Sequence, residues 1–159
     1  MDIILWRHAE AEDLAPNDLA RPLTKRGERQ AARMARWLVP QLGKPSRTES
    51  EWRVVASPAV RAQQTAAALG IRVDTVASIA PDAPADAILH AANWPHGESN
   101  IIVVGHQPTL GMVAARLANG VDGYFQVKKG AIWWFRLSPK KGETQALLVA
   151  MMTPDLVEE

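Results

Sequence analysis

The sequence of 159 residues contains no cysteine. Disulfides, thiolate nucleophiles and Cys-based zinc sites are thereby excluded, and the chain suits a reducing compartment. Long apolar runs are missing as well. Nothing approaches the roughly 20 residues that a membrane-spanning helix needs. The N-terminus, MDIILWRHAEAED, has an acid at position 2, a short apolar run and no basic leader, so it does not read as a signal peptide. The expected location, by elimination, is cytoplasmic, with no membrane partner. The four histidines show no HxH or HExxH spacing for a metal, and no GxxxxGK phosphate loop occurs. Neither sign of charge is in excess: 18 Lys and Arg against 17 Asp and Glu give a formal net charge of +1. That balance gives no reason to expect a nucleic-acid partner. Internal repeats and low-complexity tracts are also lacking.

What is present is an ordinary globular composition, 47% hydrophobic and 22% charged. The length fits one domain, residues 1–152, with a tail, Thr153–Glu159, expected to fray. No oligomeric state follows from it. Three short apolar runs read as buried strands: Asp2–Trp6, Arg53–Ala56 and Asn100–Val104. A helical pattern follows each. Thr24–Leu38 carries apolar residues at Ala31, Met34, Ala35 and Leu38, with Thr24 as N-cap. Ser57-Pro58 gives an N-cap serine and a first-turn proline ahead of Ala59–Leu69, and Gln107-Pro108 precedes Thr109–Leu117. Gly70 and Gly120 stand where helix C-terminal glycines belong. Pro40–Glu51 reads as a surface loop. A fourth strand, Ile71–Val76, precedes a helix around Ala85–Asn93. Ala131–Leu137 and Gln145–Met151 read as a hairpin. Alternation of strands and helices implies an α/β class: a single-domain, three-layer α/β/α fold, its mixed sheet mostly parallel, with a C-terminal antiparallel hairpin.

In open α/β sheets, ligands bind beyond the carboxyl ends of the strands. The unusual residues fall there. The first strand runs into Arg7-His8, the second into Ser57-Pro58 with Arg61 close behind, and the third into Gly105-His106. If these strands are neighbours, two arginines, two histidines and two helix N-termini converge at one edge. Such a site suits a dianion. Arginine offers a planar fork of donors that matches phosphate oxygens. Unpaired N–H groups and the dipole at a helix start favour an anion. Histidine is able to act as a neutral nucleophile on phosphorus near pH 7.

Leu5-Trp6-Arg7-His8-Ala9, Ser57-Pro58-Ala59-Val60-Arg61-Ala62-Gln63-Gln64-Thr65-Ala66 and Val104-Gly105-His106-Gln107-Pro108 together resemble the three signatures of the histidine phosphatase superfamily, in the same order. The match spans nearly the whole chain. Asp18-Leu19-Ala20-Arg21-Pro22-Leu23-Thr24-Lys25-Arg26-Gly27, the small size and the Arg-His-Ala-Glu-Ala start resemble its SixA-type phosphohistidine phosphatases. The resemblance implies roles residue by residue. His8 attacks phosphorus and becomes phosphohistidine, Arg7 and Arg61 hold the equatorial oxygens, and His106 donates to the same group. Asp18 and Arg21 lie at the pocket mouth, and Gln107 is a further phosphate-binding candidate. No metal or other cofactor is implied.

One absence inside the resemblance is informative. Mutases and broad phosphatases of this superfamily carry an acid that protonates the leaving oxygen, expected soon after Ile71–Val76. Here the stretch reads Ala77-Ser78-Ile79-Ala80-Pro81, with no acid before Asp82. A serine alkoxide needs a proton in order to leave. Imidazole, with a pKa of about 6.5, leaves far more easily. The missing acid therefore favours an N–P bond, although Asp82 or Asp18 could still supply a proton.

Several features have plainer readings. Asp18 and Arg21 equally suit a salt bridge pinning a loop. Arg26, Arg29, Arg33 and Arg36 suit a solvated helix face, and His90 and His96 surface or helix-end positions. Trp6 suits sheet packing. Trp133-Trp134, on one strand, must face opposite sides, one toward the core and the other exposed or at an interface. Gly43 and Gly142 suit turns. Three functions are then to be separated. The first is a phosphatase of a phosphorylated protein histidine, the second a phosphatase of small phosphomonoesters with Asp82 as acid, and the third a non-catalytic phosphate-binding module.

Overall fold

The computed structural model describes residues 1–43, 52–138 and 146–158. Six strands form one sheet: β1 (Asp2–Arg7), β2 (Trp52–Ala56), β3 (Asp74–Thr75), β4 (Asn100–Gly105), β5 (Ile132–Leu137) and β6 (Ala146–Met152). Among the described residues there are four α-helices, α1 (Lys25–Leu42), α2 (Val60–Ala67), α3 (Ala85–Ala91) and α4 (Thr109–Asn119), and three short 3-10 turns. The strand order is β3-β2-β4-β1-β5-β6. The pairs β3–β2, β2–β4 and β4–β1 are parallel, and β1–β5 and β5–β6 antiparallel. This is the expected mixed sheet with an antiparallel C-terminal hairpin. The residues joining β5 to β6, Gly142 and Gln145 among them, lie outside the described residues.

Strand side chains alternate between faces, and both faces are covered. Ile3 and Leu5 of β1 face α3 and α4, packing with Ile88, Leu110, Val113 and Leu117. Ile4 and Trp6 face α1 and α2, packing with Met34, Leu38, Ala62 and Ala66. The apolar stripe read for α1 is therefore its core face, and the three layers follow.

Some local expectations shift. Thr24 caps α1 as expected, its Oγ1 accepting from Gly27 N at 2.9 Å. The helix, however, runs through Pro40 to Leu42. A proline in the final turn removes only one late amide bond. Residues 44–51 of the expected loop lie outside the described residues. Ser57 is not the N-cap of α2; Ala59 occupies that position. The strand expected over Ile71–Val76 shrinks to Asp74–Thr75: at the sheet edge those two residues take register partners, Val55 and Ala56, and Val76 adds a single bond from its N to Ala56 O. Trp134 is buried with its indole N–H donating to Asp2 Oδ2. Trp133 is half-buried rather than exposed, because Phe125 and Phe135 cover it on the opposite face. Residues 153–157 are not frayed. Pro154 is buried in a short 3-10 turn, Pro154–Leu156, and its carbonyl accepts from Arg33 Nη1 at 2.9 Å. Arg33 therefore leaves the expected solvated face.

Candidate active site

The three parallel strands β2, β4 and β1 end flush. Their registers pair Ala56 with Val104 and Arg7 with Gly105. Ser57, His106 and His8 each follow directly from a strand end, so the sheet places them side by side. Backbone hydrogen bonds hold the chain beyond the strands. His8 N donates to Gly105 O at 3.1 Å and Ser57 N to Val104 O at 3.0 Å. Gly130, at φ +76, turns so that its N–H donates to the carbonyls of both Arg7 and His8, a backbone conformation that requires glycine there. Thr65 links the segment after β1 to α2: its hydroxyl accepts from Ala9 N at 3.0 Å and donates to Arg61 O at 2.7 Å.

A cavity of about 280 Å³ opens at this edge. Its walls include Arg7, His8, Arg61 and His106, and Asp18, Arg21, Asp82 and Gln107 also line it. Every site residue expected from the sequence therefore borders one cavity. The structure adds Pro81 and Lys129. Lys129 was not legible in advance, because it sits in the irregular segment before β5, where no periodicity marks a direction.

His8 is 7% exposed, and its Nδ1 donates to Ala9 O at 2.8 Å. A carbonyl only accepts, so the neutral ring carries its proton on Nδ1 and leaves the Nε2 lone pair free. Burial pushes the His8 pKa down to about 3, with His106, Arg61 and Arg7 adding to the shift and the Ala9 hydrogen bond opposing it. The ring is unprotonated at neutral pH. The His106 ring lies 5.2 Å from it, centroid to centroid. Burial, then Arg61 and Arg7, push the His106 pKa down to about 4, against a raising influence from Asp18. His106 Nε2 shares a 2.7 Å hydrogen bond with Ser57 Oγ.

Arg7 Nη1 donates to Val127 O at 2.8 Å, and burial lowers the guanidinium pKa from its usual value. Arg61 is held by Asp18, whose backbone carbonyl accepts from Nη1 and whose carboxylate accepts from Nη2. Asp18 also accepts from Arg21 Nη1 at 3.1 Å, and the two arginines hold its carboxyl below the ordinary carboxylate range. The salt-bridge and pocket-mouth readings of Asp18 and Arg21 thus both apply. Gln107 differs from expectation. Its amide hydrogens go to Tyr124 Oη and Phe125 O, and its Oε1 accepts from Gly111 N. Its side chain braces the neighbouring loop. The same bond caps a first-turn amide of α4, so the helix starts offer fewer free N–H groups than the sequence suggested. Asp82 has φ +68, in the left-handed region that asparagine and aspartate tolerate better than most residues.

Among the described residues, the buried side-chain nitrogens without a hydrogen-bond partner are Arg7 Nε, Arg61 Nε and His106 Nδ1. Buried donors are rarely left unpaired. All three belong to residues lining this one cavity, and arginine Nε is always a donor. The arrangement suits an anion with several acceptor oxygens. No group of three or more potential metal-ligating side chains occurs among the described residues.

Residues 3–83 match the histidine phosphatase superfamily (branch 1). The chain belongs to the histidine phosphatase superfamily. It is a phosphatase, a hydrolase acting on phosphoryl groups, and its similarity within the superfamily is to the SixA group. It is 31% identical to the phosphohistidine phosphatase SixA of Escherichia coli (strain K12), over 76% of each chain. It is 30% identical to a SixA homolog of Haemophilus influenzae, over 74% of this chain and 77% of that one. The solved structure of the protein histidine phosphatase SixA complexed with tungstate superposes with a TM-score of 0.80 at 26% identity, covering 98% of this chain and 99% of that one. Among the described residues, no helix is long and apolar enough to cross a membrane.

Proposed function

We propose that this histidine phosphatase hydrolyses phosphohistidine on a protein, without a metal, through a phosphoenzyme formed on His8. The tautomer of His8 carries the reading: with the Nδ1 proton tied to Ala9 O, the Nε2 lone pair of an unprotonated ring is free to attack phosphorus. Arg7 and Arg61, with their unpartnered Nε–H groups, hold the phosphoryl oxygens, and His106 adds a further contact. The new Nε2–P bond forms as the substrate P–N bond breaks. The substrate ring, protonated on its other nitrogen, leaves as neutral imidazole with the electron pair of the P–N bond, so the departing nitrogen itself needs no proton. Water then attacks phospho-His8 and releases phosphate, returning the Nε2 lone pair. Substrate selection rests on the absence of an acid before Asp82 and on similarity to the SixA group.

Asp82 on the cavity wall supports a second reading, a phosphomonoesterase in which Asp82 protonates the leaving oxygen. General-acid assistance contributes about 10²- to 10⁴-fold. Under the first reading, Asp82→Asn leaves phosphohistidine turnover within about twofold and the enzyme still prefers it over an alkyl phosphate. A parallel collapse on both substrates argues for the second. Mixing enzyme with a phosphoryl donor should trap an acid-labile, base-stable phosphoenzyme. If His8→Ala still forms that species, His8 is not the nucleophile.

A further inference from the structure

Ser57 enters the resemblance only as part of a motif, and its side chain has no part in the reaction described above. It is 0% exposed and sits at the carboxyl end of β2 with its hydroxyl between two nitrogens. Ala59 N donates to Oγ at 3.2 Å, and His106 Nε2 lies 2.7 Å from the same atom. We propose that Ser57 is a positioning residue that fixes the tautomer of His106, holding the ring proton on Nδ1 so that His106 meets the phosphoryl group as an N–H donor. The proposal rests on the reading of the cavity as a phosphoryl site.

The hydrogen count decides between the two neutral tautomers. Ser57 Oγ has one hydrogen to give and already accepts from Ala59 N–H. If Oγ donates to His106 Nε2, every hydrogen-bonding group of the serine side chain is engaged in the expected sense. The ring proton then lies on Nδ1, the buried nitrogen that has no protein partner. A phosphoryl oxygen completes it. In the other tautomer, Nε2–H donates to Oγ, and the serine hydrogen finds no acceptor among the described residues in a fully buried site. Nδ1 would then offer a lone pair in an anion site walled by the guanidiniums of Arg7 and Arg61, where it could only repel phosphoryl oxygens. An unmet buried hydroxyl and a lost donor both disfavour that arrangement. The depressed His106 pKa agrees with a neutral ring, for which the choice of tautomer matters.

The same logic separates this role from simple packing. Ser57→Ala removes only an oxygen atom, and Ala59 N–H and His106 Nε2 lose their shared partner. The His106 ring is then free to carry its proton on Nε2. A hydrogen bond to a charged acceptor is worth about 1.5–3 kcal/mol, or roughly 10- to 150-fold in affinity. Ser57→Thr keeps the hydroxyl and should restore the function.

The test uses the full chain labelled with ¹⁵N-histidine, long-range ¹H–¹⁵N correlation spectra, and inorganic phosphate as ligand. The His106 signals are assigned by their loss in His106→Gln. The wild type should show a protonated Nδ1 and an unprotonated Nε2, with the Nδ1 signal moving on phosphate addition. Ser57→Ala should shift the proton to Nε2 or mix the tautomers and weaken phosphate binding at least tenfold. Ser57→Thr should recover both properties. A wild-type ring protonated on Nε2 overturns the proposal. So does a Ser57→Ala protein with unchanged tautomer and phosphate affinity. If Ser57→Ala fails to fold, the wild-type spectrum still decides. Phosphate that moves neither His8 nor His106 while the Nδ1–H tautomer is present refutes the phosphoryl-site reading instead, and the two failures are told apart.

Discussion

Asp18 grips Arg61 at the mouth of the cavity: its backbone carbonyl accepts from Nη1 at 2.7 Å and its carboxylate from Nη2 at 3.1 Å. The arginine side chain is 5% exposed and the aspartate 56%. One end of the pair is therefore fixed in the protein and the other screened by water. A surface carboxylate so placed has opposing effects on a bound dianion. It repels it through solvent, and it keeps the guanidinium aimed.

The second effect should win, because solvent screens the repulsion while the brace acts on a buried group. Asp18→Ala should lower kcat/KM about tenfold, the size of one charge-assisted hydrogen bond. Asp18→Asn keeps the carbonyl and one side-chain acceptor and should lose less. Steady-state kinetics on phosphohistidine checks the order. If Asp18→Ala binds phosphate more tightly and turns over faster, repulsion dominates.

The two depressed histidines make stability depend on pH. In the unfolded chain a histidine titrates near 6.5; in the fold His8 titrates at about 3 and His106 at about 4. Between those values the unfolded state binds protons that the native state refuses, so stability rises with pH and is fully present only above about 6.5. Acidification from pH 6.5 to 5, above most carboxylate titrations, should lower the urea unfolding free energy. The slope is at most about 1.4 kcal/mol per pH unit for each histidine. His8→Asn should remove part of it. A flat profile, or one that climbs as pH falls, contradicts the assignment. The same shift keeps the His8 ring neutral throughout this range.

Lys129 and Arg7 line the same cavity but differ in exposure, and their loss should differ in kind. Lys129→Ala should raise KM a few-fold, with the effect fading at high salt as screening shortens to a few ångström. Arg7→Ala removes a half-buried donor anchored on Val127 O and should cost about 10²-fold or more in kcat at any salt concentration. Kinetics at two ionic strengths separates them. Equal salt sensitivity would mean that Arg7 acts only as a distant charge.

Gly111 in α4 has a structural reason for being glycine. A Cβ there would stand 2.0 Å from Phe125 O. The loop it would displace carries Val127, the carbonyl partner of Arg7, and leads to Gly130, which holds the backbone of Arg7 and His8. Gly111→Ala should therefore destabilise the fold by about 1–3 kcal/mol, as overpacking does. Activity measured well below the unfolding transition should fall too. Loss of stability with full activity would show that the loop relaxes without disturbing the site.

The amino-acid sequence by itself determined the layered α/β architecture and the site's core. Strand patterns and capping residues are local, and Arg7-His8, Arg61 and His106 stand at or shortly after strand ends, positions that sequence order makes legible. Thr24 and Gly120 marked helix boundaries for the same local reason. Decisions that depended on long-range contacts were not readable. Only the folded chain shows that β4 inserts between β2 and β1, so that three strand ends meet. Packing also carried α1 past Pro40, reduced β3 to two residues at an open edge, buried Pro154 and covered Trp133. In the site, tertiary contacts turned the Gln107 amide toward the Phe125 loop, set Asp18 against Arg61, brought Lys129 to the cavity and placed the Ser57 hydroxyl on His106. Those contacts join residues distant along the chain, and no local periodicity encodes which partner a polar side chain meets.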